Sequence, residues 1–107
     1  MKSAVIHRAF IEDMRRDDRF KVIFRARLRE GGQGAHEVKV INLSPSGFCA
    51  KTSYSATVDS RVWLTIPGLE QREARVIWEQ DFVFGCEFAR PLHPAVFDHL
   101  SQRFGFR

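Results

Sequence analysis

A switch to a two-residue hydrophobic period at Phe20 constrains this chain more than any other feature. Phe20, Val22, Phe24, Ala26 and Leu28 alternate with Lys21, Ile23, Arg25, Arg27 and Arg29. Successive side chains of an extended backbone point to opposite faces, so this stretch reads as a long strand with one apolar and one mostly basic face. One strand cannot bury its apolar face alone, and the downstream sequence supplies partners. Glu30-Gly31-Gly32-Gln33-Gly34 reads as a turn, and a second strand is expected from Glu37 to Ile41. Asn42-Leu43-Ser44-Pro45-Ser46-Gly47 reads as the next turn, and Phe48 to Thr52 as a third strand. Val62, Leu64 and Ile66 alternate in a fourth, ended by Pro67-Gly68. Ala74, Val76 and Trp78 alternate in a fifth. After a turn at Glu79-Gln80-Asp81, Phe82, Phe84, Cys86 and Phe88 alternate in a sixth.

Six short strands separated by turn residues indicate an all-β sandwich or barrel, and closure into a barrel hides the strand edges that invite aggregation. Beyond Pro91 the period lengthens. Pro94 suits a first helical turn, and Val96, Phe97, Leu100 and Phe104 fall on one helical face. That helix is expected to pack on the barrel or cover an open end. Residues 1–14 read as a tail or a short helix, and residues 15–107 as the barrel domain with its helix.

The 107 residues suit one domain, and 44% hydrophobic with 28% charged residues is ordinary for a soluble globular protein. Ten of the thirteen aromatics are phenylalanine, which points to ring packing in a core. No apolar run approaches the roughly 20 residues needed to span a bilayer. Glu12 and Asp13 interrupt the start, which argues against a signal peptide and makes the cytoplasm the expected compartment. Cys49 and Cys86 are isolated, with no metal-ligand spacing, and read as small buried hydrophobes. No metal or cofactor is implied. His7, His36, His93 and His99 have no carboxylate or cysteine at telling spacing, no Gly-x-Ser-x-Gly elbow is present, and there is no phosphate-binding Gly-x-x-x-x-Gly-Lys loop. These absences argue against an enzyme.

Charge is more informative. Residues 1–30 carry nine Lys or Arg against five Asp or Glu, whereas the rest of the chain carries eight of each. The whole net charge of +4 therefore sits near the N-terminal end, which points to an anionic partner there. Two segments stand out. Arg15-x-x-x-Arg19, with Arg16 as a spare donor, lies immediately before the first strand; Asn42-x-Ser44-x-x-Gly47 lies between the second and third. Arginine presents a planar fork of donors that matches both phosphate oxygens and the O6/N7 edge of guanine. Asn42 offers an amide that donates and accepts, Ser44 a hydroxyl, and Gly47 room for close approach. Taken singly, the arginines read as a solvated face and the second segment as a turn.

Together, and in this order, the two segments resemble the PilZ domain family of bacterial cyclic di-GMP receptors. Ala74-Arg75-Val76-Ile77-Trp78 followed by Gly85-Cys86-Glu87-Phe88 is similar to that family's last two strands. The resemblance spans about Arg15 to Leu92 and implies a six-stranded antiparallel barrel followed by a helix. It also implies that Arg15 and Arg19 contact guanine and phosphate, with Asn42, Ser44 and Gly47 forming the complementary surface. Asp17 and Asp18 place negative charge between those arginines. On this reading cyclic di-GMP orders the arginine segment, and the rearranged surface is read by a partner protein. The domain would be a monomer or a ligand-dependent dimer. The alternatives are a non-binding adaptor of the same fold and, as the lesser reading, a small-barrel nucleic-acid binder using Arg25, Arg27 and Arg29. Nucleic acid ranks lower because the phenylalanines fall mainly on the face opposite those arginines, leaving few rings for base stacking.

Overall fold

Val22, Phe24, Ala26 and Leu28 all turn inward and are almost wholly buried, whereas Lys21, Ile23, Arg25 and Arg27 are exposed. The computed structural model describes residues 20–54 and 56–105. The alternating stretch forms β1 (Phe20–Glu30), followed by β2 (His36–Leu43), β3 (Gly47–Lys51), β4 (Arg61–Thr65), β5 (Gln71–Gln80) and β6 (Val83–Phe88). Each neighbouring pair is antiparallel, and the strands close into a barrel in the order β1-β2-β3-β6-β5-β4. This is the all-β, six-stranded architecture expected from the sequence.

The core fills the barrel and continues into helix α1 (Pro94–Phe104). His93 caps the helix, its Nδ1 accepting from the Ala95 amide at 3.1 Å. Phe97 and Leu100 join the barrel core, Val96 and Phe104 pack at its margin, and the Phe104 ring meets Phe24 at 4.7 Å between centroids. Gly105 then forms a bridge with Val22. The helix therefore closes the end of the barrel where β1 begins. No helix among the described residues is long and apolar enough to cross a membrane.

Turn chemistry follows the sequence in one case and departs from it in another. Leu69 N–H donates to the Ile66 carbonyl at 2.9 Å around Pro67-Gly68, with Gly68 at φ 82°, the geometry of a type II turn that needs glycine at its third position. The β5–β6 hairpin has positive φ at both central residues, Asp81 (52°) and Phe82 (64°). That is a mirror-image hairpin turn, whose second central position favours glycine. A phenylalanine there is strained by roughly 1–2 kcal/mol. The sixth strand accordingly begins at Val83, not at Phe82, and Phe82 leaves the buried row of Phe84, Cys86 and Phe88 to stand 54% exposed.

Trp78 also departs from the alternation. The ladder slips between Val76 and Trp78, inserting Ile77 as an extra residue in β5. Trp78 therefore does not continue the inward row of Ala74 and Val76. It pairs with Gly85 and packs with Cys49, Ile77 and Val83 in a separate cluster on the outside of the barrel. Cys49 is thus half-buried on the outer face and Cys86 fully buried inside. Burial pushes the Cys86 thiol well above its ordinary pKa, and Cys49 and Glu30 add to the effect. A thiol held protonated and out of solvent is inert, so a thiol-specific reagent should label Cys86 only after denaturation. Rapid labelling of Cys86 in the native protein would contradict this burial.

Candidate functional site

The Asn42-x-Ser44-x-x-Gly47 segment is not a loop throughout. Asn42 and Leu43 belong to β2, Gly47 opens β3, and only Ser44, Pro45 and Ser46 lie between the strands. Ser44 and Gly47 exchange backbone hydrogen bonds, Ser44 N–H to Gly47 O at 2.9 Å and Gly47 N–H to Ser44 O at 3.4 Å. Pro45 suits this tight connection because its φ is preset.

Ser44 is fully buried, and its hydroxyl is taken up by the turn. The oxygen accepts from the Gly47 amide at 3.1 Å and lies 3.2 Å from the Ser46 hydroxyl. Two carbonyls of the turn are also tied down, one to the end of β6 and one to the connection leading into α1. Phe88 N–H donates to Ser46 O and Leu92 N–H to Pro45 O, both at 2.8 Å. The turn is therefore bound on two sides. Removing the hydroxyl in Ser44→Ala leaves a buried amide short of one acceptor and should lower stability by about 1–2 kcal/mol, read by thermal or urea unfolding. An unchanged midpoint would show that the hydroxyl does not hold the turn.

Asn42 owes its direction to a bulge. Val38 and Val40 face the core, yet so does Leu43, because Ile41 is an extra residue in the β2 ladder against β3. The slip reverses the parity of β2, so Leu43 enters the core and Asn42 is carried on the outer face. Across the sheet Asn42 is paired with Lys21 of β1 on one side and Cys49 of β3 on the other. The Asn42 side-chain carbonyl is buried and has no hydrogen-bond partner among the described residues. An unpaired buried acceptor is costly unless a donor completes it.

Phe20, the residue that follows Arg19, pairs with Leu43, next to Asn42. Arg15, Arg16 and Arg19, with residues 1–14, lie outside the described residues. Of the sequence-derived set the structure thus brings Asn42, Ser44 and Gly47 to one rim of the barrel, with Ser44 turned inward beneath it. Gly47 does not have positive φ; it faces Glu87 of β6, which in turn faces Arg75 of β5. Lys21 is the member that sequence reasoning missed. Its ammonium group belongs to the exposed face beside Asn42, a juxtaposition set by register, which no residue spacing within β1 reveals.

The rim can therefore offer an amide acceptor, a lysine and a rigid turn to an anionic ligand at the point where the arginine segment enters the fold. The family model described as PilZ domain matches residues 13–104, which takes in both motifs and the six strands and helix described above. No curated protein matches the chain. The match covers nearly the whole sequence, and this chain belongs to the PilZ domain family, a family of cyclic di-GMP-binding domains.

Proposed function

We propose that this domain is a cyclic di-GMP receptor in which Arg15 and Arg19 close over the rim carrying Asn42 and signal to a partner protein by the order they acquire. The observation that carries the reading is the Asn42 carbonyl, a buried acceptor without a partner among the described residues, one residue from the Phe20–Leu43 pair where the arginine segment joins β1. A guanidinium or a guanine N–H would complete it. Arg15 and Arg19 supply forks for the phosphates and the O6/N7 edge of guanine, and Arg16 is a reserve donor. Lys21 adds a cation next to Asn42. Ser44 serves from beneath, by holding the turn whose opening residue of β3, Gly47, has no side chain to obstruct a ligand.

On this reading binding sets the entropy lost in ordering the arginine segment against several charge-assisted hydrogen bonds. Asp17 and Asp18 tune that exchange, since either carboxylate can pair with the arginines when no ligand is present. The test is calorimetric titration of the whole chain with cyclic di-GMP. Saturable heat at about 50 µM protein supports the receptor. Absence of heat overturns it and leaves an adaptor of the same fold. Light scattering on the titrated sample distinguishes a monomer from a ligand-dependent dimer.

A further inference from the structure

The end of the barrel remote from Asn42 has a different character. Its connections, residues 31–35, 52–60 and 81–82, carry only two charged residues, Asp59 and Asp81. Two aromatic rings stand out from it, Phe82 at 54% and Tyr54 at 60% exposure. They belong to one region, because Thr52 N–H donates to the Phe82 carbonyl at 3.0 Å and Tyr54 N–H donates to the Thr52 hydroxyl at 3.1 Å. Tyr54 is also braced by His36, the ring centroids 4.7 Å apart. Phe82 is the strained member, a bulky residue with φ 64° where glycine is favoured. Strain kept for an exposed ring, which contributes little to the core, points to a use for that ring outside the fold.

Directly behind the aromatics lies a basic row. Val83, which follows Phe82, is paired with Lys51 of β3; Lys51 is paired with Lys39 of β2, and Lys39 with Arg25 of β1. All three cations are exposed. Like charges directly opposite in a sheet repel, and the ion pair at this row is Arg25 with Glu37, at 3.7 Å and well exposed on both sides. Asp81 on the Phe82 turn offsets one further charge.

We propose that this end of the barrel docks peripherally on an anionic lipid surface, Phe82 and Tyr54 entering the interface and Lys51, Lys39 and Arg25 meeting the headgroups. The shape favours a bilayer. The aromatics project from a hairpin tip and a loop, with mostly uncharged connections around them and the cations set back along the strands, the order of depths an interface requires. The docking does not depend on the nucleotide, whose proposed site is at the opposite end, so the two readings fail separately.

The test is cosedimentation of the whole chain with phosphatidylcholine vesicles containing roughly one-third phosphatidylglycerol, and with phosphatidylcholine alone, both without cyclic di-GMP. Binding is expected to the anionic vesicles and to weaken with salt. Lys39→Gln with Lys51→Gln should reduce it about thirtyfold, taking each cation near the surface at its usual worth. Phe82→Gly should reduce it about tenfold while raising the thermal midpoint, since glycine relieves the backbone. Phe82→Leu should retain most of the binding. Lost binding in a protein made more stable is a result that a purely structural role for Phe82 does not produce. Equal binding to both vesicle types, no binding, or unchanged binding by the variants would overturn the proposal. So would transfer of the same variant effects to oligothymidylate in place of vesicles.

Discussion

Replacing Arg19 by alanine is expected to weaken cyclic di-GMP binding by at least about a hundredfold while leaving thermal unfolding almost unchanged. A guanidinium placed on a phosphate or on guanine makes two hydrogen bonds at once, and each charge-assisted bond contributes about 1.5–3 kcal/mol. Loss of both corresponds to about 3 kcal/mol or more, hence the hundredfold change. The folded state has little to lose. Arg19 ends a run of five charged residues that precedes the barrel ladder, and a substitution in such a run shifts stability by no more than about 0.5 kcal/mol. Arg15→Ala should behave in the same way, and Arg16→Ala should have a smaller effect because Arg16 is a reserve donor. Lys21→Ala tests the residue that only register brings to the rim, and should weaken binding several-fold with a shallower salt dependence. Calorimetry of the four variants separates these roles. Equal, small losses across all four would mean that diffuse positive charge, not a defined arginine pair, attracts the ligand.

Phe48→Ala is expected to have the largest effect on stability, a loss of about 3–5 kcal/mol. Phe48 is fully buried in β3 and sits between Leu43 of β2 and Cys86 of β6. Its ring meets Phe88 at 5.4 Å and Phe84 edge-on at 6.4 Å. Truncation would leave a cavity among stiff strands of a closed barrel, where neighbours have little freedom to collapse into it. Small domains are stable by only about 5–15 kcal/mol, so the melting temperature should fall by roughly 15–30 °C. Phe48 also follows Gly47, so ligand affinity in Phe48→Ala would be confounded by unfolding. Phe48→Leu, with a smaller cavity, should keep the fold and retain nucleotide binding. A loss below about 1 kcal/mol in Phe48→Ala would show that the cluster is looser than its burial implies.

Particular residues explain how much of this was legible in the sequence. The inward row of β1, the Pro67-Gly68 turn and the helical face Phe97, Leu100 and Phe104 follow from periods of two and 3.6 and from the backbone limits of proline and glycine. Those are local rules, and sequence displays them. The bulges at Ile41 and Ile77 are different. Each is a mismatch between two strands, visible only when the partner is known, and each reverses a side-chain parity that alternation alone gets wrong. That is why Trp78 was expected in the interior and lies on the outside with Cys49. Phe82 misled for a related reason: its apolar side chain fits the alternation, while the two-residue turn claims its backbone.

The candidate site divides along the same line. Local patterns in the sequence carried the all-β class, the terminal helix, the concentration of positive charge ahead of β1 and the two motifs by which the chain resembles its family. All of these depend on residue types at short spacings along one chain. Strand pairing placed Asn42 on the outer face with a carbonyl that has no partner among the described residues, turned Ser44 inward to hold its hairpin, and set Lys21 beside Asn42. It also decided that Lys51, Lys39 and Arg25 align behind Phe82. Each of these is a relation between strands, and strand register is fixed by barrel closure and bulges, which no stretch of the chain encodes alone.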